Sequence, residues 1–180
     1  MEKIKSIREF QLLSQRTCTD LGTVNKNSLH MLLGIHTEVG EALDIYKKTL
    51  AYGKEFDIVN LGEELGDILW YFVNLCTLNH KELWEDSIFP SNRFAISEDL
   101  KGILMEDIDE VEALIRILQP EEGIEVKLGA IFHVASKKGL DMYEIMTKNV
   151  EKLKIRYPEK FTEEAALNRD LEAERKELEK

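Results

Sequence analysis

The sequence predicts an all-α protein, and three observations support this prediction. The chain has 180 residues, of which 10 are Gly and 3 are Pro, so residues that interrupt helices are scarce. Leucine outnumbers valine by 24 to 8, whereas strands favour β-branched residues. Apolar residues recur at spacings of three and four along most of the chain, which is the period of an amphipathic helix. We therefore expect a helical bundle around a single core.

Length and charge narrow the class of protein. A chain of 180 residues fits one domain that buries a core without disulfides or a structural metal. Cys18 and Cys76 are too few for a disulfide framework and suit a reducing cytoplasm, where we expect the protein to reside. The net charge of −11 argues against binding a nucleic-acid polymer, which requires Lys and Arg on phosphates. The sequence starts with charged residues and contains no long apolar run, so we expect the protein to be neither exported nor inserted in a membrane.

Caps and chain breakers set the expected helix boundaries. Asp57 and Asp141 are predicted N-caps, and the second helix is expected to open at Asn27 or Ser28. The predicted helices cover residues 2–18, 27–50, 57–79, 97–119, 121–137 and 141–156, and residues 86–96 are predicted to form a loop. The domain is expected to span residues 1–161, followed by a charged C-terminal helix or arm over residues 162–180.

Two pairs of acidic residues lie beside the apolar stripes of the second and third predicted helices. At about 100° per residue, Glu38 and Glu41 border the core-facing side of the second helix. Glu64 and Asp67 belong to a polar column that runs along the apolar stripe of the third helix. A polar column beside a buried stripe is unusual, so these four carboxylates are the candidate functional groups.

Facing each other across two antiparallel helices, these four carboxylates would repel one another and raise each other's pKa. A divalent cation between them would relieve the repulsion, and ligands that are all oxygen favour Mg²⁺ or Mn²⁺ over zinc. The alternative is that the acids pair with Lys and Arg in a solvated groove.

The acidic pattern also resembles that of a known family. Glu38-Val-Gly-Glu41, followed after 22 residues by Glu64-Leu-Gly-Asp67, resembles the E-x-x-E…E-x-x-D signature of MazG-like all-α nucleoside triphosphate pyrophosphohydrolases. The region from residue 139 to Pro158, with Phe161 and Asn168-Arg169-Asp170 beyond it, is similar to the C-terminal part of bacterial and phage members. The two similar regions cover more than half of the chain.

The resemblance implies a Mg²⁺-dependent enzyme that hydrolyses a nucleoside or deoxynucleoside triphosphate between the α and β phosphates. Glu38, Glu41, Glu64 and Asp67 would be the metal ligands, and Glu38 or Glu41 would orient the attacking water. The product would be a monophosphate and pyrophosphate, as in enzymes that clear surplus or damaged nucleotides. A dUTPase, dCTPase or phosphoribosyl-ATP pyrophosphohydrolase specificity stays open, as does a non-catalytic acidic adaptor.

Fixed cations for a triphosphate are expected on the last core helix. Asn149, Lys152 and Arg156 fall within about 60° of one another beside its apolar stripe, and together with the resemblance they form a candidate phosphate clamp. Lys54, in the connection between the two acidic helices, is a further candidate. The alternative for each of these basic residues is an ordinary surface charge.

The remaining expectations concern the nucleoside and a second subunit. Tyr71 and Asn74 extend the column of Asp67 and are candidates for sugar or base contacts. Trp70, on the opposite side, is expected to pack at an interface. Because the resemblance implies that a second subunit completes the bundle, we expect a homodimer or higher homo-oligomer. Residues 81–137 would be an insertion, extra bundle helices or a dimer element, and the near-heptad stripe over residues 100–118 would serve packing within or between subunits.

Overall fold

The computed structural model describes residues 2–84 and 108–179. Within these two ranges the chain is helical and contains no strand, which confirms the predicted all-α class. The helices are α1 (Ile7–Ser14), α2 (Val24–Tyr52), α3 (Ile58–Leu78), α4 (Ile108–Ile117), α5 (Ile124–Lys137), α6 (Met142–Arg156), α7 (Glu163–Leu167) and α8 (Leu171–Leu178), and a 3₁₀ turn over Gln15–Thr17 follows α1. In the described part of the chain, no helix is long and apolar enough to cross a membrane.

An antiparallel pair formed by α2 and α3 dominates the fold. Thr23 caps α2, since its side chain accepts a hydrogen bond from the backbone N–H of Lys26, so this helix begins earlier than the predicted Asn27 or Ser28. It ends at Gly53, whose left-handed φ of 62° favours glycine. Asp57 caps α3 as predicted, accepting a 2.9 Å hydrogen bond from the backbone N–H of Asn60. The short turn brings the facing sides of the two helices together.

The third helix lies at the centre of the bundle. It contacts α1, α2, α5 and α6, and its side chains are buried on most of its circumference. Gly66 permits a close approach of α6, because a Cβ there would lie 3.1 Å from Nδ2 of Asn149. Gly34 permits the closest approach between α2 and α3, because its missing Cβ leaves room for the ring of Tyr71. The two glycines therefore set how tightly α2 and α6 pack against α3.

Helices α4 and α5 form a second hairpin that packs on the first. They contact each other extensively, α4 contacts α2, and α5 contacts α3. The predicted helix over 97–119 is observed from residue 108 to residue 117, whereas its first part and the predicted loop over 86–96 lie outside the described residues. Residues 108–137 thus add helices to the same bundle.

The first helix is shorter than predicted because it begins at a strong local cap. The hydroxyl of Ser6 accepts a hydrogen bond from the backbone N–H of Glu9, so α1 starts at Ile7 instead of residue 2. A 3₁₀ turn then replaces the last predicted turn of the helix.

The C-terminal segment differs from the single exposed helix expected over residues 162–180. Thr162 caps α7 and Asp170 caps α8, so the segment bends between the two short helices. Helix α8 packs against α6 and buries Glu174 and Leu178, which are 2% and 7% exposed. The charged composition of this segment predicted that it is exposed, but one of its charged residues, Glu174, is itself buried.

Candidate functional site

A cleft of about 740 Å³ lies between α2, α3, α6 and the C-terminal segment. Its lining divides by chemistry into an acidic group, a basic group and an aromatic group. The acidic residues are Glu38, Glu41, Glu63, Glu64, Asp67 and Glu174, the basic residues are Arg156, Arg169 and Arg175, and the aromatic residues are His30, Trp70, Tyr71, Tyr157 and Phe161. The four sequence-predicted carboxylates therefore share one cavity.

Three of these carboxylates converge closely enough to bind one metal ion. One oxygen each from Glu38, Glu41 and Glu64 lies within 4.8 Å of the other two. Glu41 is exposed, Glu38 is half-buried, and Glu64 is only 5% exposed. The cluster therefore runs from the solvent into the wall of the cleft, which leaves one side open to water and a ligand.

Burial and mutual repulsion disfavour the ionised form of this cluster. Burial, followed by the charges of Asp67 and Glu41, raises the pKa of Glu38 above its usual range. Burial and the charges of Asp67, Glu38 and Glu41 also raise the pKa of Glu64. The side chains of Glu38 and Glu64 also interact directly by a hydrogen bond, which requires a proton on one of the two carboxyls. A bound cation would relieve this repulsion and favour the ionised form of the cluster.

Asp67 lies beside the three glutamates, and hydrogen bonds from two side chains of α6 hold its carboxylate in place. Its Oδ2 accepts a 2.6 Å hydrogen bond from Nζ of Lys152, and its Oδ1 accepts a 2.5 Å hydrogen bond from Nδ2 of Asn149. The aspartate therefore lines the cleft with both oxygens already engaged. Its assignment as a metal ligand stays a prediction.

Lys152 and Asn149 occupy a different place from the predicted phosphate clamp. Both are buried, with exposures of 0% and 2%, and neither belongs to the cleft lining. Lys152 also donates to Oε1 of Glu63 at 3.2 Å, so its ammonium lies between two carboxylates. These two residues are placed to fix Asp67, and their assignment to a phosphate clamp stays a prediction.

Arg156, the third predicted clamp residue, does line the cleft. Its guanidinium makes a two-point contact with Glu174, with Nε 2.9 Å from Oε1 and Nη2 2.5 Å from Oε2. Arg169 reaches the same Oε2 at 2.8 Å. Burial opposes the charge on Arg156, but Glu174 and then Asp67 raise the pKa of its guanidinium. Two of the three arginines that line the cleft are therefore joined by one carboxylate.

An aromatic wall completes the cleft. The rings of Trp70 and Tyr71 meet edge to face at 4.9 Å, and His30 packs against Tyr71 at 5.8 Å. Burial, then the charge of Glu38, raises the pKa of Tyr71 to about 12, so its hydroxyl keeps its proton at neutral pH. Trp70, which was predicted to pack at an interface, is buried within the chain, and its Nε1 donates a 3.1 Å hydrogen bond to Oγ1 of Thr17.

Two other predicted substrate contacts lie outside the cleft lining. Asn74 is 2% exposed and its Nδ2 donates to the carbonyl of Trp70 in the preceding turn of α3. Lys54 is exposed in the turn between α2 and α3. Asn74 thus makes its hydrogen bond within its own helix, and the assignment of Asn74 and Lys54 as substrate contacts stays a prediction.

Sequence reasoning missed Glu63, Arg169 and Glu174. Arg169 lies in the Asn168-Arg169-Asp170 stretch that carries part of the family resemblance, so a signal was present. Glu63 and Glu174 had no such signal, because their roles depend on Lys152 and on the two arginines, which are distant in sequence.

The chemistry of the cluster fits a hard divalent cation. Carboxylate oxygens on rigid helices are ligands for Mg²⁺ or Mn²⁺, and a Mg²⁺ site leaves positions for water and phosphate oxygens. Glu38, Glu41 and Glu64 could supply three such oxygens, whereas the ammonium of Lys152 is engaged by Asp67 and Glu63. Comparison with protein-family models, with curated proteins and with solved structures gave no match to this chain.

Proposed function

We propose that this protein is a Mg²⁺-dependent nucleoside triphosphate pyrophosphohydrolase that cleaves between the α and β phosphates. The observation that carries the proposal is the convergence of Glu38, Glu41 and Glu64 within 4.8 Å on the wall of a cleft. The E-x-x-E…E-x-x-D pattern described above, which spans the same residues, independently favours this chemistry.

Each part of the cleft has a chemical counterpart in such a substrate. The volume of about 740 Å³ falls in the range of small-molecule sites and accommodates a nucleotide. Arg156 and Arg169 offer guanidinium groups to phosphate oxygens. The wall of Trp70, Tyr71 and His30 offers apolar and edge contacts to a nucleoside.

The residues of this chain would bind the ion, orient the substrate and hold a proton. Glu38, Glu41 and Glu64 would hold the ion, which would neutralise the triphosphate and lower the pKa of a water molecule. Glu41 is the most exposed of the three and is placed to accept a proton from that water. Asp67, fixed by Lys152 and Asn149, would line the cleft beside the bound ion.

Pyrophosphate release from a panel of ribo- and deoxynucleoside triphosphates tests the proposal. We expect release from at least one nucleotide with Mg²⁺, none with EDTA, and a fall of at least 100-fold in kcat for Glu41→Gln and Glu64→Gln. Glu112→Gln, on the surface of α4, is the matched control and should retain wild-type activity. Because the panel includes dUTP, dCTP and phosphoribosyl-ATP, it also separates the specificities left open above.

Calorimetry with Mg²⁺ alone separates an inactive enzyme from a protein that binds no metal. The wild type should bind the ion, and Glu64→Gln should bind it at least tenfold more weakly. If the wild type releases no pyrophosphate from any member of the panel, the enzymatic proposal is wrong and the acidic adaptor becomes the better description.

The partner of this enzyme is proposed to be a second copy of the chain. Leu29, Leu32 and Leu33 lie on one side of α2 and are 57%, 43% and 57% exposed, which is unusual for adjacent leucines. Leu33→Lys should shift the mass measured by light scattering from dimer to monomer, whereas Leu12→Lys, at an exposed leucine of α1, should not. A wild type that is monomeric at micromolar concentration would overturn this proposal.

A further inference from the structure

Arg156, Arg169 and Glu174 form an ion triad on the wall of the cleft. Both arginines direct an Nη2 atom at the same oxygen of Glu174, at 2.5 Å and 2.8 Å. The Glu174 side chain is 3% exposed, that of Arg156 is 14% exposed, and that of Arg169 at the rim is 38% exposed. Two positive charges thus share one carboxylate, which leaves the triad with an excess positive charge beside open space.

We propose that Arg156 and Arg169 form the subsite for the outer phosphates of a polyphosphate ligand, and that Glu174 fills this subsite as a tethered anion until the ligand displaces it. This inference rests on the proposed function in one respect: that function identifies the polyphosphate ligand as a nucleoside triphosphate. The subsite combines a residue from the end of α6 with one from the bend between α7 and α8. The resident carboxylate comes from α8 itself.

A terminal phosphate is the better ligand for two guanidinium groups. It carries more negative charge than a carboxylate and offers three oxygens in place of two. Each arginine could then keep a two-point contact, whereas both now compete for one oxygen of Glu174. Glu174 holds the site in the absence of ligand because it is attached to the chain and has a high effective concentration.

The helices of the segment that carries Glu174 are short and depend on tertiary contacts. Helices α7 and α8 have 5 and 8 residues, too short to be stable without tertiary contacts. Leu167 and Leu171 at the bend are 84% and 62% exposed, so this part of the segment contributes little to the core. The triad is therefore a main attachment of α8 to α6, together with the buried Leu178 and the pair between Arg175 and Asp57.

Binding of inorganic tripolyphosphate to the full-length protein, measured by calorimetry without divalent metal, tests the proposal. Because Glu174 competes with the ligand, Glu174→Gln should bind tripolyphosphate about tenfold more tightly than the wild type. Arg169→Gln should bind it about tenfold more weakly, and the double variant should lose the gain of Glu174→Gln. Glu172→Gln is the matched control, since it removes the same charge from an exposed site on α8 and should change affinity less than twofold.

Hydrogen exchange of the wild type provides a second measurement that does not depend on any variant folding. Saturating tripolyphosphate should accelerate exchange of the α8 amides, while exchange in α5 should stay unchanged. A purely structural triad predicts slower or unchanged exchange in α8. Unchanged or weaker binding by a folded Glu174→Gln, or unchanged or slower exchange of the α8 amides with tripolyphosphate, would overturn the proposal.

These measurements require no turnover, so they distinguish this inference from the proposed enzymatic function. Tighter binding by Glu174→Gln in a protein that cleaves no nucleotide would support the subsite and refute the pyrophosphohydrolase. Nucleotide cleavage together with unchanged tripolyphosphate binding by Glu174→Gln would support the pyrophosphohydrolase and refute the subsite.

Discussion

The Nζ atom of Lys152 lies 2.6 Å from Oδ2 of Asp67, and the lysine side chain is completely buried. A second carboxylate, that of Glu63, lies 3.2 Å from the same nitrogen. Burial opposes the charge on Lys152, but Asp67 and Glu63 together raise the pKa of its ammonium. Lys152 is thus a fixed internal cation whose charge offsets part of the acidity around the cleft.

Removing this cation should destabilise the protein strongly. Lys152→Met keeps most of the side-chain volume but leaves Asp67 and Glu63 without their partner, which should reduce the free energy of unfolding by about 3 kcal/mol. Urea unfolding followed by circular dichroism measures the loss. Lys148→Met, one turn earlier in α6 at a lysine that pairs with exposed Glu144, should change stability by less than about 0.5 kcal/mol. Similar stabilities of the two variants would show that the buried pairs contribute little.

The acidic cluster should make the metal-free protein less stable as pH rises. The folded state raises the pKa of Glu38 and Glu64 above the usual value of 4.5, so the unfolded chain releases these protons first. The stability contributed by the protonated cluster is therefore complete below pH 4.5 and is lost as pH rises through the folded pKa values.

Urea midpoints of the wild type and Glu64→Gln in EDTA, compared from about pH 5 to pH 8, measure this effect. The difference between the two proteins should grow in favour of Glu64→Gln as pH increases. Saturating Mg²⁺ should stabilise the wild type more at the higher pH, because the ion binds the ionised carboxylates. A difference that is constant with pH would contradict the raised pKa values.

The crossing of α2 and α3 should tolerate no side chain at Gly34. A Cβ at this position would overlap the ring of Tyr71, which is itself packed against Trp70 and His30, so Gly34→Ala should destabilise the protein by about 1–3 kcal/mol. Gly40→Ala is the matched control in the same helix, because a Cβ there meets nothing within 4 Å. It should stabilise the protein by about 0.5–1 kcal/mol through helix propensity. Equal effects on the thermal midpoint would mean that Tyr71 moves aside freely.

Glu174 should give the opposite pH dependence to the acidic cluster. Burial opposes ionisation, but hydrogen bonds from Arg156 and Arg169 hold the pKa of Glu174 at about 2. Its stabilising contribution is therefore complete above the usual value of 4.5 and is lost as pH falls toward 2. In acid unfolding, the wild type and Glu174→Gln should differ most near neutral pH and converge as the pH approaches 2. A difference that persists at the lowest pH would show that the triad is not the source.

Helical periodicity was sufficient to predict that the acidic residues of the second and third predicted helices lie close together. Glu38, Glu41 and Glu64 depend only on two helix faces and a short turn, and all of these follow from residues that are close in sequence. The angular position of Lys152 was also correct, but the angle does not distinguish a side chain that faces a cleft from one that faces Asp67 behind it. That distinction depends on how closely α6 approaches Gly66.

Contacts between distant segments account for the remaining differences. Trp70 was expected at an interface because it lies on the opposite side of α3 from the polar column. Its hydrogen-bond partner, Thr17, is 53 residues away, in a 3₁₀ turn that no sequence pattern predicted. The charged composition of the C-terminal residues predicted an exposed arm. The burial of Glu174 depends instead on arginines from two other places in the chain. Propensity and spacing contain no information about such pairings.

The turn at Gly53 joins the two helices that carry Glu38, Glu41 and Glu64, so the carboxylate side of the cleft comes from one continuous hairpin. The guanidinium side comes from the last 25 residues of the chain. In the proposed enzyme, ion affinity and anion recognition would therefore depend on different parts of the chain. Substitutions at Arg156 and Arg169 would change the choice of anion while leaving Glu38, Glu41 and Glu64 in place.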